Sequence, residues 1–345
     1  MEKARIAICG SRVKPDRFGS LIKKFEDSEL AAVWDDQNIE RCEKVAEDLG
    51  VPFERDIDNL LNHYRLDGVV IVSDNARKKD LILKAAQAGI SVFVEKPMCV
   101  SAEDAKEIQK AVHESGIKFY MSDPFVSSGL MKVKELIAQG ELGRITGARF
   151  LLGAGAALYG FISYDREKSL GGIMADVGGH MIHQAHYIFG KPEALSAQLS
   201  YYSEEAKKNQ IEENAVIVMR YPDDVLVTLN CSWLSGAGMG EAEIYGTGGV
   251  AVVQKAEDGH SPGDEVVVVK RGKGESHTYS LKDMPKPPRQ HIRYFIDMLV
   301  KDLPNDIVGV DPQSNSGVSI DHAVEFAEII DTIYQSANKG FIAVE

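Results

Sequence analysis

The sequence predicts an α/β protein in which a doubly wound parallel sheet is followed by an α/β domain with a large, mostly antiparallel open sheet. Three observations support this prediction. Short apolar strands alternate with helices over the first third of the 345-residue chain. From about residue 195, most strands follow one another without intervening helices. The chain is also longer than one hydrophobic core usually grows, so we predict two domains, residues 1–121 and 122–345.

The first part is predicted from buried strands and capped helices. Gly68–Val72 (GVVIV) is apolar without alternation, as expected of a strand that is buried on both faces. Ser101 starts a helix in a capping-box-like SAED sequence. The other predicted strands are Arg5–Gly10, Leu30–Trp34, Ser91–Val94 and Ile117–Met121, and the other helices lie near Phe18–Phe25, at Ile39–Leu49 closed by Gly50, and at Leu81–Ala88 closed by Gly89.

The second part changes from mixed elements to strands. A helix at Leu130–Gln139, a strand at Ile145–Leu152, a loop at Tyr159–Ser169 and a helix that contains Asp176 and ends near Gly190 come first. The predicted strands that follow are Leu195–Tyr202, Ala215–Tyr221, Val225–Cys231, Glu243–Tyr245, Val250–Val253 and Glu265–Lys270, and helices return at Arg289–Lys301 and His322–Ala337. Because the open face of such a sheet often meets a second subunit, we predict a homodimer or homotetramer through it.

Composition narrows the class of partner. The net charge of −13 and the absence of a basic block argue against nucleic acid and against an anionic membrane surface, since phosphate contacts need clustered Lys and Arg. The sequence contains no run of about 18 apolar residues, so we predict no membrane span. The first residues enter a strand almost at once, and we expect no signal peptide. The four cysteines are scattered, which is typical of reduced, buried thiols. We therefore expect a cytoplasmic protein.

Two loops in the first part are candidates for binding a dinucleotide. The loop after the first strand keeps only the first glycine of the GxGxxG pattern, Gly10, and continues with Ser11 and Arg12. The second strand ends in Asp35-Asp36, where a carboxylate would accept hydrogen bonds from a ribose. A carboxylate there favours NAD(H), because it repels a 2′-phosphate. NADP(H) stays the alternative, since nearby basic residues could receive that phosphate, namely Arg12, Lys14, Arg17 and Arg41.

Two further stretches carry acid–base groups. In VFVEKPM, Pro97 ends a buried strand and holds Lys96 in extended backbone at the edge where α/β sheets bind ligands. In GGIMADVGGHMIH, Asp176, His180 and His183 are spaced i, i+4 and i+7, which would place them on one face of an α-helix. A lysine from one segment and a carboxylate with two imidazoles from another form a set that can move a proton.

With these motifs, the chain resembles the glucose–fructose oxidoreductase / inositol dehydrogenase / rhizopine-catabolism (Gfo/Idh/MocA) family of NAD(P)-dependent oxidoreductases. The resemblance rests on VFVEKP, GGIMADVGGHMIH and EIYGTGG, and on the closing segment from Ile329. It implies an N-terminal Rossmann domain, a C-terminal sheet used in oligomerisation, and a polyhydroxylated substrate such as a sugar or cyclitol. It also implies Lys96, Asp176 and His180 as the catalytic set.

The resemblance has departures. The usual Thr-Pro-Asn after the fourth strand is Ser73-Asp74-Asn75, the following His is Lys78, and His183 replaces an acid at a substrate-contact position. We assign to the cofactor Gly10, Ser11, Arg12, Asp35, Asp36, Ser73, Asn75, Glu95, Lys96 and Pro97, and to the substrate Lys96, Tyr164, Asp176, His180 and His183.

The predicted reaction is hydride transfer between nicotinamide and a secondary alcohol or its carbonyl. His180 would exchange the hydroxyl proton, Lys96 would bind the reacting oxygen and Asp176 would stabilise charge. Two alternatives stay open. Asp176, His180 and His183 could ligate a metal, although that leaves Lys96 without a role. We therefore predict no bound metal. The chain could also be a nucleotide-binding or regulatory protein that keeps the fold without turnover.

Overall fold

The computed structural model describes residues 3–12, 14–122, 126–153, 164–235, 239–255, 265–281, 291–303, 305 and 317–339. The chain divides into two compact units. The first contains Met1–Pro124, Glu167–Leu170 and Pro288–Glu328, and the second contains Phe125–Arg166, Gly171–Pro287 and Ile329–Glu345. The first residues of the predicted loop at Tyr159–Ser169 and of the predicted helix at Arg289–Lys301 lie outside the described residues.

The first unit contains a seven-stranded sheet. Its strands are β1 (Ala4–Cys9), β2 (Ser28–Trp34), β3 (Phe53–Glu54), β4 (Gly68–Ile71), β5 (Ser91–Glu95), β6 (Phe119–Ser122) and β15 (Gly317–Val318). They are ordered β3–β2–β1–β4–β5–β6–β15, and all neighbours are parallel except β15, which is antiparallel to β6. The strand order reverses between β1 and β4, which is where doubly wound sheets bind their ligands. The predicted Rossmann-type sheet is confirmed.

Helices and one aromatic cluster form the core of this unit. The helices are α1 (Pro15–Lys24), α2 (Ile39–Leu49), α3 (Ile57–His63), α4 (Asn75–Gln87), α5 (Ala102–Ser115), α10 (His291–Val300) and the first half of α11 (Ile320–Ala337). The α2 bounds are those predicted, and Gly50 ends it with a left-handed φ of 64°. Ser101 caps α5 by accepting the N–H of Asp104. Phe93 of β5 packs edge-on against Phe295 of α10, within the same buried cluster.

The second unit contains an eight-stranded sheet. Its strands are β7 (Ile145–Gly153), β8 (Ala194–Ser200), β9 (Asn214–Tyr221), β10 (Val225–Ser232), β11 (Met239–Gly246), β12 (Gly249–Lys255), β13 (Glu265–Lys270) and β14 (Ser276–Ser280). The order is β14–β13–β12–β11–β7–β10–β9–β8, and only β10 with β7 is parallel. The helices of this unit include α6 (Ser128–Ala138), α8 (Gly179–Phe189) and α9 (Glu204–Asn209), whereas α7 (Arg166–Ser169) has only its first residue in this unit and the rest in the first. The mostly antiparallel sheet is therefore also confirmed.

Several local details differ from the sequence prediction. Helix α4 begins at Asn75, whereas the sequence predicted a start at Leu81. The prediction missed the first turns because they are polar and carry no apolar periodicity. Part of the segment predicted as a loop, Arg166–Ser169, is one helical turn. Within the described ranges, no helix has the length and apolar character that crossing a bilayer requires.

Candidate active site

The loops after β1 and β4 meet closely at the carboxyl edge of the first sheet. Gly10 has a φ of 100°, and a Cβ there would lie 2.2 Å from Ser73 Oγ and 2.7 Å from Ser73 Cα. Ser73 in turn donates to the carbonyl of Cys9 at 3.1 Å. Only glycine allows both this backbone conformation and this approach. The single glycine kept from the fingerprint therefore has a defined structural task.

A second glycine, Gly19, allows the close helix packing that the last glycine of a complete fingerprint would allow. Gly19 lies inside α1, and a Cβ there would come within 2.4 Å of Leu49 and 3.2 Å of Leu30. Close helix packing is the role of the last glycine in GxGxxG. Helix α1 begins at Pro15 after Lys14, and no side chain caps its amino end. That end can receive a pyrophosphate, because its N–H groups lack helical partners.

The two acidic residues after β2 have different environments. Asp35 is 1% exposed, and its carboxylate accepts the N–H groups of Gln37 at 2.9 Å and Asn38 at 3.2 Å. The Ser11 hydroxyl, also buried, donates to the same carboxylate at 3.2 Å. Asp35 and Ser11 therefore shape the loop from within.

Asp36 is the more accessible of the pair. Its side chain is 46% exposed and contacts Arg77 at 2.5 Å. The Arg77 guanidinium also lies 3.4 Å from Asp35 and 5.0 Å from the centre of the Trp34 ring. Arg77 therefore holds Asp36 at the end of β2, where a ribose would lie in a dinucleotide complex.

The loop between β4 and α4 is tied to its neighbours by polar contacts. Arg12 forms an ion pair with the nearly buried Asp74 at 2.9 Å. The side-chain amide of Asn75 donates to the carbonyl of Ser169 at 2.8 Å. The positive charge of Arg12 is thus partly neutralised, whereas Lys14, Arg17 and Arg41 are exposed.

A buried lysine organises the segment around Lys96. The Lys96–Pro97 peptide is cis, and Lys96 is half-buried. The Nζ of Lys78, whose residue is 1% exposed, contacts the carbonyls of Glu95 at 2.8 Å, Lys96 at 3.2 Å and Pro97 at 3.0 Å, and Asn75 Oδ1 at 3.0 Å. Burial lowers the pKa of Lys78 to about 7, while the Glu95 carboxylate acts in the opposite direction. Sequence reasoning noted Lys78 only as a departure and missed this role.

In the second unit, the predicted acid–base face is not a regular α-helix. Met174–Gly178 forms a π-helical turn, and α8 follows from Gly179. The wider turn interrupts the i, i+4 register that the spacing argument assumed. Asp176 is exposed, His180 is half-buried and His183 is 9% exposed. The three side chains do not bring three potential metal-ligand atoms together among the described residues.

A buried carboxylate holds the segment that leads into this turn. Glu212 is 0% exposed, and its Oε1 accepts the N–H of Gly172 at 2.8 Å, the N–H of Met174 at 3.2 Å and the hydroxyl of Tyr334 at 2.8 Å. A Cβ on Gly172 would lie 2.1 Å from the Glu212 carbonyl oxygen, and one on Gly171 would lie 2.1 Å from the Tyr334 hydroxyl. The two glycines that open the motif are therefore required by this approach. Burial raises the pKa of Glu212, although these hydrogen bonds oppose the shift.

The next residue, Glu213, engages a predicted substrate contact. Its carboxylate accepts the hydroxyls of Tyr164 at 2.7 Å and Ser203 at 2.8 Å, and the N–H groups of Tyr202 and Ser203. Burial and the hydrogen bond to Glu213 raise the pKa of Tyr164 to about 12. The Tyr164 hydroxyl therefore already donates its proton within the protein.

The chemistry of each unit can be stated separately. The first presents a close-packed glycine loop, an open helix amino end and the accessible Asp36, and this set fits a bound dinucleotide. It also carries Lys96, which can bind an oxygen that develops negative charge. The second presents Asp176 and His180, a carboxylate and an imidazole suited to proton transfer.

These features define a two-domain protein with a dinucleotide-type fold, and two family models make the class specific. Residues 4–122 match "Oxidoreductase family, NAD-binding Rossmann fold", and residues 130–252 match "GFO/IDH/MocA C-terminal domain". The chain therefore belongs to the Gfo/Idh/MocA oxidoreductase family, as the motifs predicted.

Individual relatives match parts of the chain. The 2,7-anhydro-N-acetylneuraminate hydratase of Mediterraneibacter gnavus is 28% identical over 189 residues, 54% of this chain and 48% of the relative. The scyllo-inositol 2-dehydrogenase (NAD(+)) of Bacillus subtilis is 32% identical over 157 residues, 44% of this chain and 43% of the relative. The chain thus spans about half the length of these curated relatives.

The fold extends over the whole chain. The structure of the WlbA dehydrogenase from Bordetella pertussis in complex with NADH and UDP-GlcNAcA has a TM-score of 0.77 to this chain and covers 100% of both chains. Its sequence identity is 19%, so the likeness concerns the fold.

Proposed function

We propose that this protein is an NAD(P)-dependent oxidoreductase that transfers a hydride between nicotinamide and a secondary alcohol or carbonyl of a sugar, cyclitol or related polyol. The observation that carries the proposal is the placement of Lys96 directly after β5, which is the strand next to β4 of the β1/β4 switch point in a dinucleotide-type sheet. Family membership and the relative named as an inositol dehydrogenase support it.

Each side chain has a role in this proposal. The bound nicotinamide supplies the hydride acceptor or donor. His180 takes the hydroxyl proton during oxidation and returns it during reduction. Lys96 binds the reacting oxygen and stabilises its developing negative charge, and Asp176 balances the charge that His180 gains. His183 and the ring of Tyr164 contact the substrate.

We propose NAD(H) as the preferred cofactor, with Asp36 rather than Asp35 on the adenosine ribose. The hydrogen bonds already made by Asp35 and the exposure of Asp36 support this choice. The exposed Lys14, Arg17 and Arg41 would support NADP(H) instead, if they approach a 2′-phosphate.

A fluorescence titration with NADH and NADPH tests the cofactor proposal. Asp36→Ala should weaken NADH binding by about tenfold or more, because a charge-assisted hydrogen bond to the ribose is lost. Asp48→Ala, which removes an exposed carboxylate elsewhere on α2, is the control. Tighter NADPH than NADH binding in the wild type would reject the NAD(H) preference, and binding of neither would reject the oxidoreductase.

A screen of sugars and cyclitols, read by nicotinamide absorbance, then identifies a substrate. Lys96→Ala and His180→Ala should each lower kcat by about 100-fold. Wild-type rates in both variants would refute the assigned roles.

A second candidate reaction is hydration of an anhydro sugar, which is favoured by the relative named as a hydratase. The two candidates differ in their overall stoichiometry. An oxidoreductase changes the amount of reduced nicotinamide, whereas a hydratase forms product with no net change in it. Product analysis beside the absorbance measurement separates them.

We further propose that a second copy of this chain covers the outer face of the second sheet. Side chains of β9 and of the neighbouring β10 alternate between more buried and more exposed, and the exposed ones include Val216 and Val218 on β9 and Leu226 on β10. Light scattering should give the mass of a dimer or tetramer. Val218→Lys should reduce it, whereas Glu205→Lys on α9 should not. A wild-type monomer would refute this proposal.

A cytoplasmic location is supported by the four buried free cysteines.

A further inference from the structure

Lys78 is unusual because a fully buried ammonium is bound almost entirely by backbone. Three of its four oxygen partners are consecutive main-chain carbonyls, from Glu95 to Pro97, and the fourth is the Asn75 side chain. Three ammonium protons reach four acceptors, so one hydrogen bond is shared. The Glu95 and Asp74 carboxylates and the Arg12 and Lys96 cations also act on it electrostatically.

The three carbonyls belong to Lys96, which is proposed to bind the reacting oxygen, and to the residues before and after it. Residues Glu95 and Pro97 are the immediate neighbours of Lys96, so fixing their carbonyls fixes the backbone from which the Lys96 side chain extends. Lys78 extends from α4, and the three carbonyls belong to the last residue of β5 and the two residues after it. The contact therefore ties α4 to the end of β5 within the first unit.

We propose that Lys78 is a positioning residue: its ammonium holds the Glu95–Pro97 carbonyls and thereby aims Lys96 at the reacting oxygen. This inference rests on the proposed function, because it assigns Lys78 an effect through Lys96. A displacement of about 1 Å at a reacting group can lower a rate by about 100-fold. Loss of the Lys78 ammonium therefore slows the chemical step more than it weakens cofactor binding.

The first experiment requires no substrate. Hydrogen exchange is measured for the peptide Val92–Cys99 in the wild type, in Lys78→Met and in Lys78→Ala with and without ethylammonium chloride. Exchange should accelerate by at least about tenfold in both variants, and ethylammonium should restore protection in Lys78→Ala. Tetramethylammonium chloride, which cannot donate, is the ionic control. Lys79→Met is the matched protein control, since its Nζ contacts Asp104 and Glu107 instead.

The second experiment is a double-mutant cycle with the substrate found above. Lys78→Met should lower kcat by about 100-fold with KM for the cofactor within about threefold, and it should have little further effect in a Lys96→Ala background. An unchanged exchange rate, or an equal loss of kcat in both backgrounds, overturns the inference. If the wild type binds no nicotinamide, the proposed function fails, while the exchange result still decides whether Lys78 orders this segment. Thermal melting of each variant identifies any that fails to fold.

Discussion

The buried Lys78 makes a quantitative prediction about stability and pH. Burial lowers its pKa from 10.5 to about 7, so the two values differ by about 3.5. At about 1.4 kcal/mol for each pKa unit, keeping this ammonium charged in the fold costs about 5 kcal/mol relative to the unfolded chain. Because Lys78 is fully buried, solvent screening does not reduce this figure greatly.

The sign follows from proton binding. Between about pH 7 and about pH 10.5, the unfolded chain binds more protons at Lys78 than the folded chain does, so stability rises with pH. Lys78→Met lacks this titration. The free energy of unfolding of the wild type, minus that of Lys78→Met, should therefore increase by about 2 kcal/mol from about pH 7 to about pH 9.

Urea unfolding of both proteins at a series of pH values measures this difference. Using the difference cancels the titration of groups that the two proteins share. Lys84→Met, which removes an exposed lysine from the same helix, should show no such trend. A difference that is constant with pH would refute the lowered pKa of Lys78 and the energetic argument built on it.

Three further predictions concern two residues of the second unit and the contact between Arg293 of α10 and Asp27. Gly172→Ala should destabilise the protein by about 1–3 kcal/mol in urea unfolding, because its Cβ meets the Glu212 backbone, whereas Gly179→Ala, with nothing within 4 Å, should not. Glu212→Gln removes a carboxyl group whose pKa is raised in the fold, so above about pH 4.3 the folded wild type binds more protons at this position than the unfolded chain does. The free energy of unfolding of the wild type, minus that of the variant, should therefore fall as pH rises, by at most about 1.4 kcal/mol per pH unit. A difference that does not change with pH would contradict this prediction. The Arg293 guanidinium hydrogen-bonds Asp27 at 2.6 and 2.8 Å and lowers its pKa, so Arg293→Met should raise that pKa in an NMR titration; an unmoved value would exclude the contact.

Local patterns predicted much of the fold. The α2 bounds followed from an amphipathic stretch that ends in glycine, and the buried run at Gly68 identified a central strand. Both features depend on residues close together in sequence. The two-residue strands β3 and β15 could not be predicted in this way, because their pairing with β2 and β6 depends on distant partners.

The candidate site was predicted less completely. Motifs proposed Lys96, Asp176 and His180 as site residues, and these roles stay predictions, but the π-helical turn before α8 left no local signal. Lys78 did leave one that we did not use: it precedes the buried Leu81 and Ile82 by three and four residues, on the same face of α4. Glu212 gave none, since a charged pair before a strand usually lies in solvent. Burial of charge is a tertiary property, and it is what distinguishes these two residues.

The return of the chain to the first unit has a consequence for synthesis on the ribosome. Phe295 of α10 is fully buried in the first core, and its ring would lie 2.8 Å from a Cβ on Gly68. The strand β15 extends the same sheet still later in the sequence. The N-terminal unit therefore cannot complete its core until the whole second sheet has emerged, so a nascent chain released near residue 122 would expose the surface that α10 covers.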